Sequence, residues 1–141
     1  MNTQVTLNEL ADNFELLGDW DARYEYLVDL GGALGTLPDE DKSDQTKVHG
    51  CMSNVWVVGD LVDGQIQYRA ECDTSIIRGV IAILVKVYSG STPNDALLMD
   101  ADEVFDTLGL FEHLSPTRHV GVYAIVERMR NVAREYGAVE H

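Results

Sequence analysis

The apolar residues at the start of the chain recur at helical spacing. Leu7, Leu10, Phe14 and Leu17 fall three or four apart, which puts them on one face of a helix. Thr6 followed three residues later by Glu9 has the form of a capping box, and Gly18 marks a stop. Asp19 is placed to cap a second helix with Trp20, Tyr24, Leu27, Val28 and Leu34 on its apolar side. Gly31, Gly32 and Gly35 weaken its last turns, and Leu37-Pro38-Asp39 turns the chain out of it. Asp39 to Lys47 is polar and predicts an exposed loop. The period then changes. Val55 to Val58 is a β-rich run, and Gln65 to Glu71 alternates polar and apolar residues, as a strand with one wet face does. Gly59-Asp60 and Asp63-Gly64 are turn dipeptides, so the two runs predict a hairpin, with a third strand starting near Val48.

Apolar residues from Ile76 to Tyr88 cover most of a helix circumference, which predicts a deeply buried helix capped by Asp73 or Thr74 and ended by Gly90. Thr92-Pro93 opens a short helix through Leu98, and another runs from Asp102 to Leu108. Ser115-Pro116 starts the last helix, with Val122, Ile125, Val126, Met129, Val132 and Tyr136 as its apolar stripe and Gly137 after it. The predicted fold is α+β and two-layered. A small antiparallel sheet of about three strands packs against helices in the order αα-βββ-ααα, within one domain over residues 1–141.

Composition narrows the function. Twenty-four Asp and Glu against ten Lys and Arg give a formal net charge of −14, a field that repels a phosphate backbone and argues against nucleic acid as a ligand. It fits either simple solubility or a basic patch on a protein partner. No run approaches the roughly 18 apolar residues of a membrane span. Met1 to Val5 lacks the start of a signal peptide, so a cytoplasmic protein is the expectation, with a monomer as the default. Two cysteines, Cys51 and Cys72, fall short of the usual zinc or iron–sulfur ligand sets. The histidines at 49, 113, 119 and 141 are not spaced to complete one, so no metal or other cofactor is expected.

The segment from Val48 to Trp56 is the candidate for chemistry. It places Cys51 where a polar loop meets the first secure strand, with Gly50 before it to permit a tight turn. Residue by residue, this fits a reachable thiol, and it also fits a buried cysteine serving as a small apolar filler.

Gly50-Cys51-x-Ser53-x-Val55-Trp56, with Asp73-x-x-Ile76-x-x-Gly79 and Pro116-Thr117-Arg118 downstream, resembles the SufE family of sulfur acceptors. Trp20 with Tyr24, Leu37-Pro38 and Thr92-Pro93 extend the likeness in order from about Phe14 to Tyr136. The resemblance implies a SufE/NifU-like fold and a partner, a pyridoxal-phosphate-dependent cysteine desulfurase of the SufS or CsdA kind. That enzyme holds sulfur as a persulfide, Cys51 takes it over, and an iron–sulfur scaffold receives it. The pyridoxal phosphate belongs to the partner.

Neighbouring residues then acquire candidate roles. His49 would point the same way as Cys51 in an extended segment and, if protonated, would favour the thiolate. The family often has glutamine there. Arg118 falls in the first turn of a helix, where its charge opposes the helix dipole and calls for an acidic side chain, a thiolate or a docked protein. A matching arginine exists in the family. Asp73 reads as a helix cap, with a positioning role for the acceptor loop as the alternative. Cys72 stands where the family usually has a small polar residue and reads as a buried structural thiol or a resolving partner for Cys51. The competing functions are an iron–sulfur scaffold, a cysteine hydrolase and a non-catalytic interaction module.

Overall fold

The computed structural model describes residues 3–51, 53–98, 100–114 and 116–139, without the side chains of 3–5, 111, 113, 116–118, 138 and 139. Helix α1 (Thr3–Leu17) buries Leu7, Leu10 and Phe14. It starts upstream of Thr6, since no glycine or proline precedes that residue, so Thr6 and Glu9 lie inside the helix and the expected capping box is not its start. Gly18 ends it at φ +79°. Asp19 then caps α2 (Trp20–Gly32), its carboxylate accepting the Ala22 N–H at 2.9 Å. Of the two tyrosines of α2, Tyr26 turns inward, not Tyr24. The Tyr26 ring meets Phe14 edge-on at 5.7 Å, while Tyr24 is exposed.

The central hairpin consists of β1 (Val55–Val62) and β2 (Gln65–Cys72), antiparallel with Val55 opposite Cys72 and Val62 opposite Gln65. Asp63 (φ +54°) and Gly64 (φ +79°) form its two-residue turn, as a type I′ geometry requires. Gly59-Asp60 is therefore not a turn but mid-strand. A side chain at Gly59 would place its Cβ 2.5 Å from Val132 Cγ1 of the last helix, so glycine is what lets that helix lie on the strand. Among the described residues the sheet has two strands. The expected third is a single bridge, Lys47 to Trp56, with Val48 N–H donating to Val55 O at 2.8 Å. Gly50, at φ +90°, turns the chain away before a ladder can grow.

The inner face of the hairpin (Val55, Val57, Ile66, Tyr68, Ala70, Cys72) is buried against α3 (Ser75–Tyr88) and the last helix. Helix α3 is the core of the molecule, with Ile77, Val80, Ile81, Ile83 and Leu84 all buried. It lies close to α2 because Gly79 meets the backbone of Leu27 and Gly31 meets that of Gly79; a Cβ at either position would overlap main-chain atoms.

The outer face carries charge. Arg69 bonds Asp60 at 2.7 Å and Asp41 at 3.1 Å, and Glu71 accepts the Leu37 N–H at 2.8 Å and Lys42 at 3.3 Å. Lys42 and Lys47 flank the Trp56 ring. The acidic segment after Leu37, with a 3-10 turn over Asp39–Asp41, is thus tied across the sheet instead of hanging free.

Three more helices complete the order: α4 (Pro93–Leu97) capped by Thr92, α5 (Ala101–Leu108) capped by Asp100, and α6 (Pro116–Val139). Gly137 does not end α6; it has no positive φ, and the helix runs on to Val139. Along α6 the expected stripe from Val122 to Tyr136 faces inward. Arg128 Nε donates to Val57 O at 3.1 Å and the Tyr136 hydroxyl to Gly59 O at 2.6 Å, so α6 caps the outer carbonyls of β1. No helix among the described residues is long and apolar enough to cross a membrane.

Candidate functional site

The start of β1 is pinned on both sides. Upstream, Val48 is held by its bond to Val55 O. Downstream, Asn54 and Asp73 exchange three bonds. Asn54 N–H donates to Asp73 Oδ1 at 3.0 Å, Asn54 Nδ2 to Asp73 Oδ2 at 2.8 Å, and Asp73 N–H to Asn54 O at 3.3 Å. Ser53 Oγ lies 2.6 Å from Thr74 Oγ1. Between these anchors the chain makes a short loop with Cys51 on it.

Cys51 is half-buried, and its sulfur rests on α6. A Cβ at Gly121 would lie 2.9 Å from Cys51 Sγ, so the absence of a side chain at Gly121 forms the seat for the thiol. A Cβ at Gly50 would approach Ala124 of the same helix at 3.7 Å. Gly50 allows the turn, and two small residues of α6 allow the approach. Met52, next to Cys51, lies outside the described residues.

Asp73 does not cap α3. The residue at the N-cap is Thr74, whose side chain makes no cap bond, and the Asp73 carboxylate is spent on Asn54. Loss of water around that carboxylate would raise its pKa. The Asn54 amide and backbone N–H, with the Thr74 hydroxyl, outweigh this and hold it below the usual aspartate value. Its side-chain bonds run to Asn54, just before β1, and to the Thr74 hydroxyl.

His49 is exposed. The positive φ of Gly50 breaks the extended geometry that would align it with Cys51, and His49 Nε2 hydrogen-bonds the Asp44 carbonyl at 3.1 Å. Arg118 falls in the first turn of α6, three residues before Gly121; its side chain lies outside the described residues. Cys72 is buried at 2% exposure. Its sulfur accepts the Thr74 N–H at 3.4 Å, and burial pushes its thiol pKa up. Among the described residues no three His, Cys, Asp or Glu side chains converge as metal ligands.

Sequence reasoning did not single out Gly121, Asn54 or the Ser53–Thr74 pair. A signal for Gly121 existed, since an isolated glycine within an apolar helical stripe often marks close packing. The pairings of Asn54 and Ser53 had none, because they depend on the hairpin register. Together these residues hold one thiol at a loop tip, half-sheltered and backed by a helix. Such a thiol, as thiolate, can exchange with sulfur–sulfur bonds.

A family model described as SufE, Fe-S metabolism associated domain, matches residues 8–133. An uncharacterised SufE-like protein of Rhizobium etli is 37% identical over 134 residues, covering 92% of this chain and 90% of that protein. One of Rhizobium meliloti is 34% identical over 133 residues, covering 92% and 95%. In fold, the chain is similar to the solution structure of a hypothetical protein from Thermus thermophilus, with TM-score 0.78, 18% identity and coverage of 94% and 96%. The chain belongs to the SufE family, whose domain is associated with iron–sulfur metabolism.

Proposed function

We propose that Cys51 is a sulfur relay: it accepts sulfur from the persulfide of a cysteine desulfurase in the cytoplasm and hands it to an iron–sulfur scaffold. The observation that carries this reading is the placement of Cys51 on a loop anchored at both ends, its sulfur seated on Gly121. In the exchange, the Cys51 thiolate attacks the outer sulfur of the partner's persulfide. A new sulfur–sulfur bond forms on Cys51, and the old bond breaks with its electrons returning to the desulfurase cysteine. The chain then carries a persulfide and the partner is free for another turnover, so the desulfurase is stimulated. Asp73 acts as a positioning residue through Asn54. In this reading Arg118, in the first turn of the helix that backs the thiol, engages the docking partner or the developing sulfur charge.

Incubation with a desulfurase and free cysteine tests the relay directly. Intact mass is expected to rise by one sulfur atom in the wild type and to stay unchanged in Cys51→Ala. An unmodified wild type, or a sulfur-loaded Cys51→Ala, would overturn the reading.

A further inference from the structure

Cys72 is a buried nucleophile that this relay does not use, and it ends β2 opposite the residue that starts β1 after the Cys51 loop. It is the register partner of Val55, the first residue of β1, and Val48 bonds Val55 from the opposite edge. The Cys51 loop therefore closes at the end of β1 that pairs with Cys72. The residues that follow each cysteine are joined as well: Ser53 to Thr74 and Asn54 to Asp73. The Cys72 side chain belongs to the inner face of the sheet, and the Cys51 sulfur enters the same interior against α6. Cys51 is among the few groups that bear electrostatically on Cys72.

We propose that Cys72 resolves a persulfide on Cys51, closing a Cys51–Cys72 disulfide and releasing the outer sulfur as hydrosulfide. The proposal rests on the reading of Cys51 as the persulfide carrier. In the step, Cys72 attacks Cys51 Sγ, the inner sulfur, and its proton passes to the departing outer sulfur. The bond between the two cysteine sulfurs forms, and the bond to the outer sulfur breaks with its electron pair leaving on that atom. The two cysteines are together oxidised by two electrons, and the outer sulfur is reduced by the same two. No external oxidant is consumed.

Attack falls on the inner sulfur for two reasons. Hydrosulfide is a weaker base than a cysteine thiolate and leaves more readily. The inner sulfur is also the atom held in place by Gly121. Gly50, at φ +90°, supplies the backbone freedom to bring the two cysteines to disulfide geometry. Because burial keeps Cys72 protonated, its attack is slow beside transfer to a waiting acceptor. A persulfide handed on promptly escapes it. One that waits is drained as sulfide, and the chain is left in a form that cannot accept more sulfur.

The test loads the protein with sulfur from inorganic polysulfide, removes the excess without oxygen, and follows intact mass and free sulfide over time. The wild type is expected to lose the added sulfur in step with sulfide release. It should converge on a mass two hydrogens below the reduced chain, with the Cys51 and Cys72 peptides crosslinked in a non-reducing digest. Cys72→Ser and Cys72→Ala are expected to release sulfide roughly tenfold more slowly. Equal rates in wild type and either variant overturn the proposal, as does sulfide release without the crosslinked peptide. The relay fails separately: a desulfurase that loads neither wild type nor Cys72→Ser, while polysulfide loads both, overturns only the reading of Cys51 as its acceptor.

Discussion

At the scale of single residues, the site depends on an atom that is absent. Gly121 has no Cβ, and Cys51 Sγ occupies the space one would fill. A helical glycine elsewhere would be a liability of about 0.5–1 kcal/mol relative to alanine. Here it makes room for the thiol. Gly121→Ala should therefore displace the sulfur, a movable side-chain end, without disturbing the fold. The expected outcome is alkylation of Cys51 by iodoacetamide about threefold to tenfold faster, since a displaced thiol is more accessible. Thermal stability should be unchanged or raised by up to about 1 kcal/mol through helix propensity. Mass-resolved alkylation kinetics alongside thermal unfolding check both halves. Unchanged labelling would show that Gly121 does not seat the thiol.

At the scale of elements, the loop is set by the clamp between the start of β1 and the turn into α3. Asn54 and Asp73 hold it with two side-chain-mediated bonds and one backbone bond. Removing the carboxylate in Asp73→Ala should cost about 1 kcal/mol, the size expected for partly exposed hydrogen bonds. It should also speed amide exchange at Asn54 and Val55 more than in the core of α3. The folded Asp73 pKa is depressed, so its contribution is fully present above the ordinary aspartate value near pH 3.9. That contribution is lost as pH falls through the folded value. The wild-type exchange rates at these two amides, corrected for intrinsic pH effects, should approach those of Asp73→Ala only below about pH 4. The sequence shows Asp73 at a helix start but not its attachment, because Asn54 is 19 residues away and meets it only through the hairpin register.

At the scale of the whole molecule, the interior holds several groups that fold best when neutral. Burial raises the thiol of Cys72 and the phenol of Tyr68, whose hydroxyl donates to Met129 O at 2.9 Å. Burial, with Asp100 and Glu103 nearby, pushes Tyr88 up to about 12. Raised folded values mean that this stability is complete below the unfolded pKa and lost as pH rises through the folded one. The melting temperature should therefore be flat through neutrality and then fall. The decline begins near pH 8.5 with Cys72 and steepens above about 10 with the tyrosines. Each group adds a slope of up to about 1.4 kcal/mol per pH unit between its two values. In Cys72→Ala the first part of the decline should vanish and the tyrosine part remain, as thermal melts between neutral and strongly alkaline pH would reveal.

The sequence by itself determined most of the elements, because periodicity is a local property. The helices at Leu7–Leu17 and Ile76–Tyr88, the Asp63-Gly64 turn, the Asp19 cap, the helix start at Thr92-Pro93 and the address of Cys51 are carried by residues adjacent along the chain. Only the tertiary structure decided what those elements bring together. Gly59 has a turn's residue type but lies in mid-strand because α6 crosses it. His49 bonds the Asp44 carbonyl, and Gly50 takes a positive φ between it and Cys51. Gly121 meets Cys51, 70 positions earlier in the sequence, across the packing of α6 on the loop. Such contacts follow from register and helix placement, which local preferences leave free and the burial of one shared core fixes.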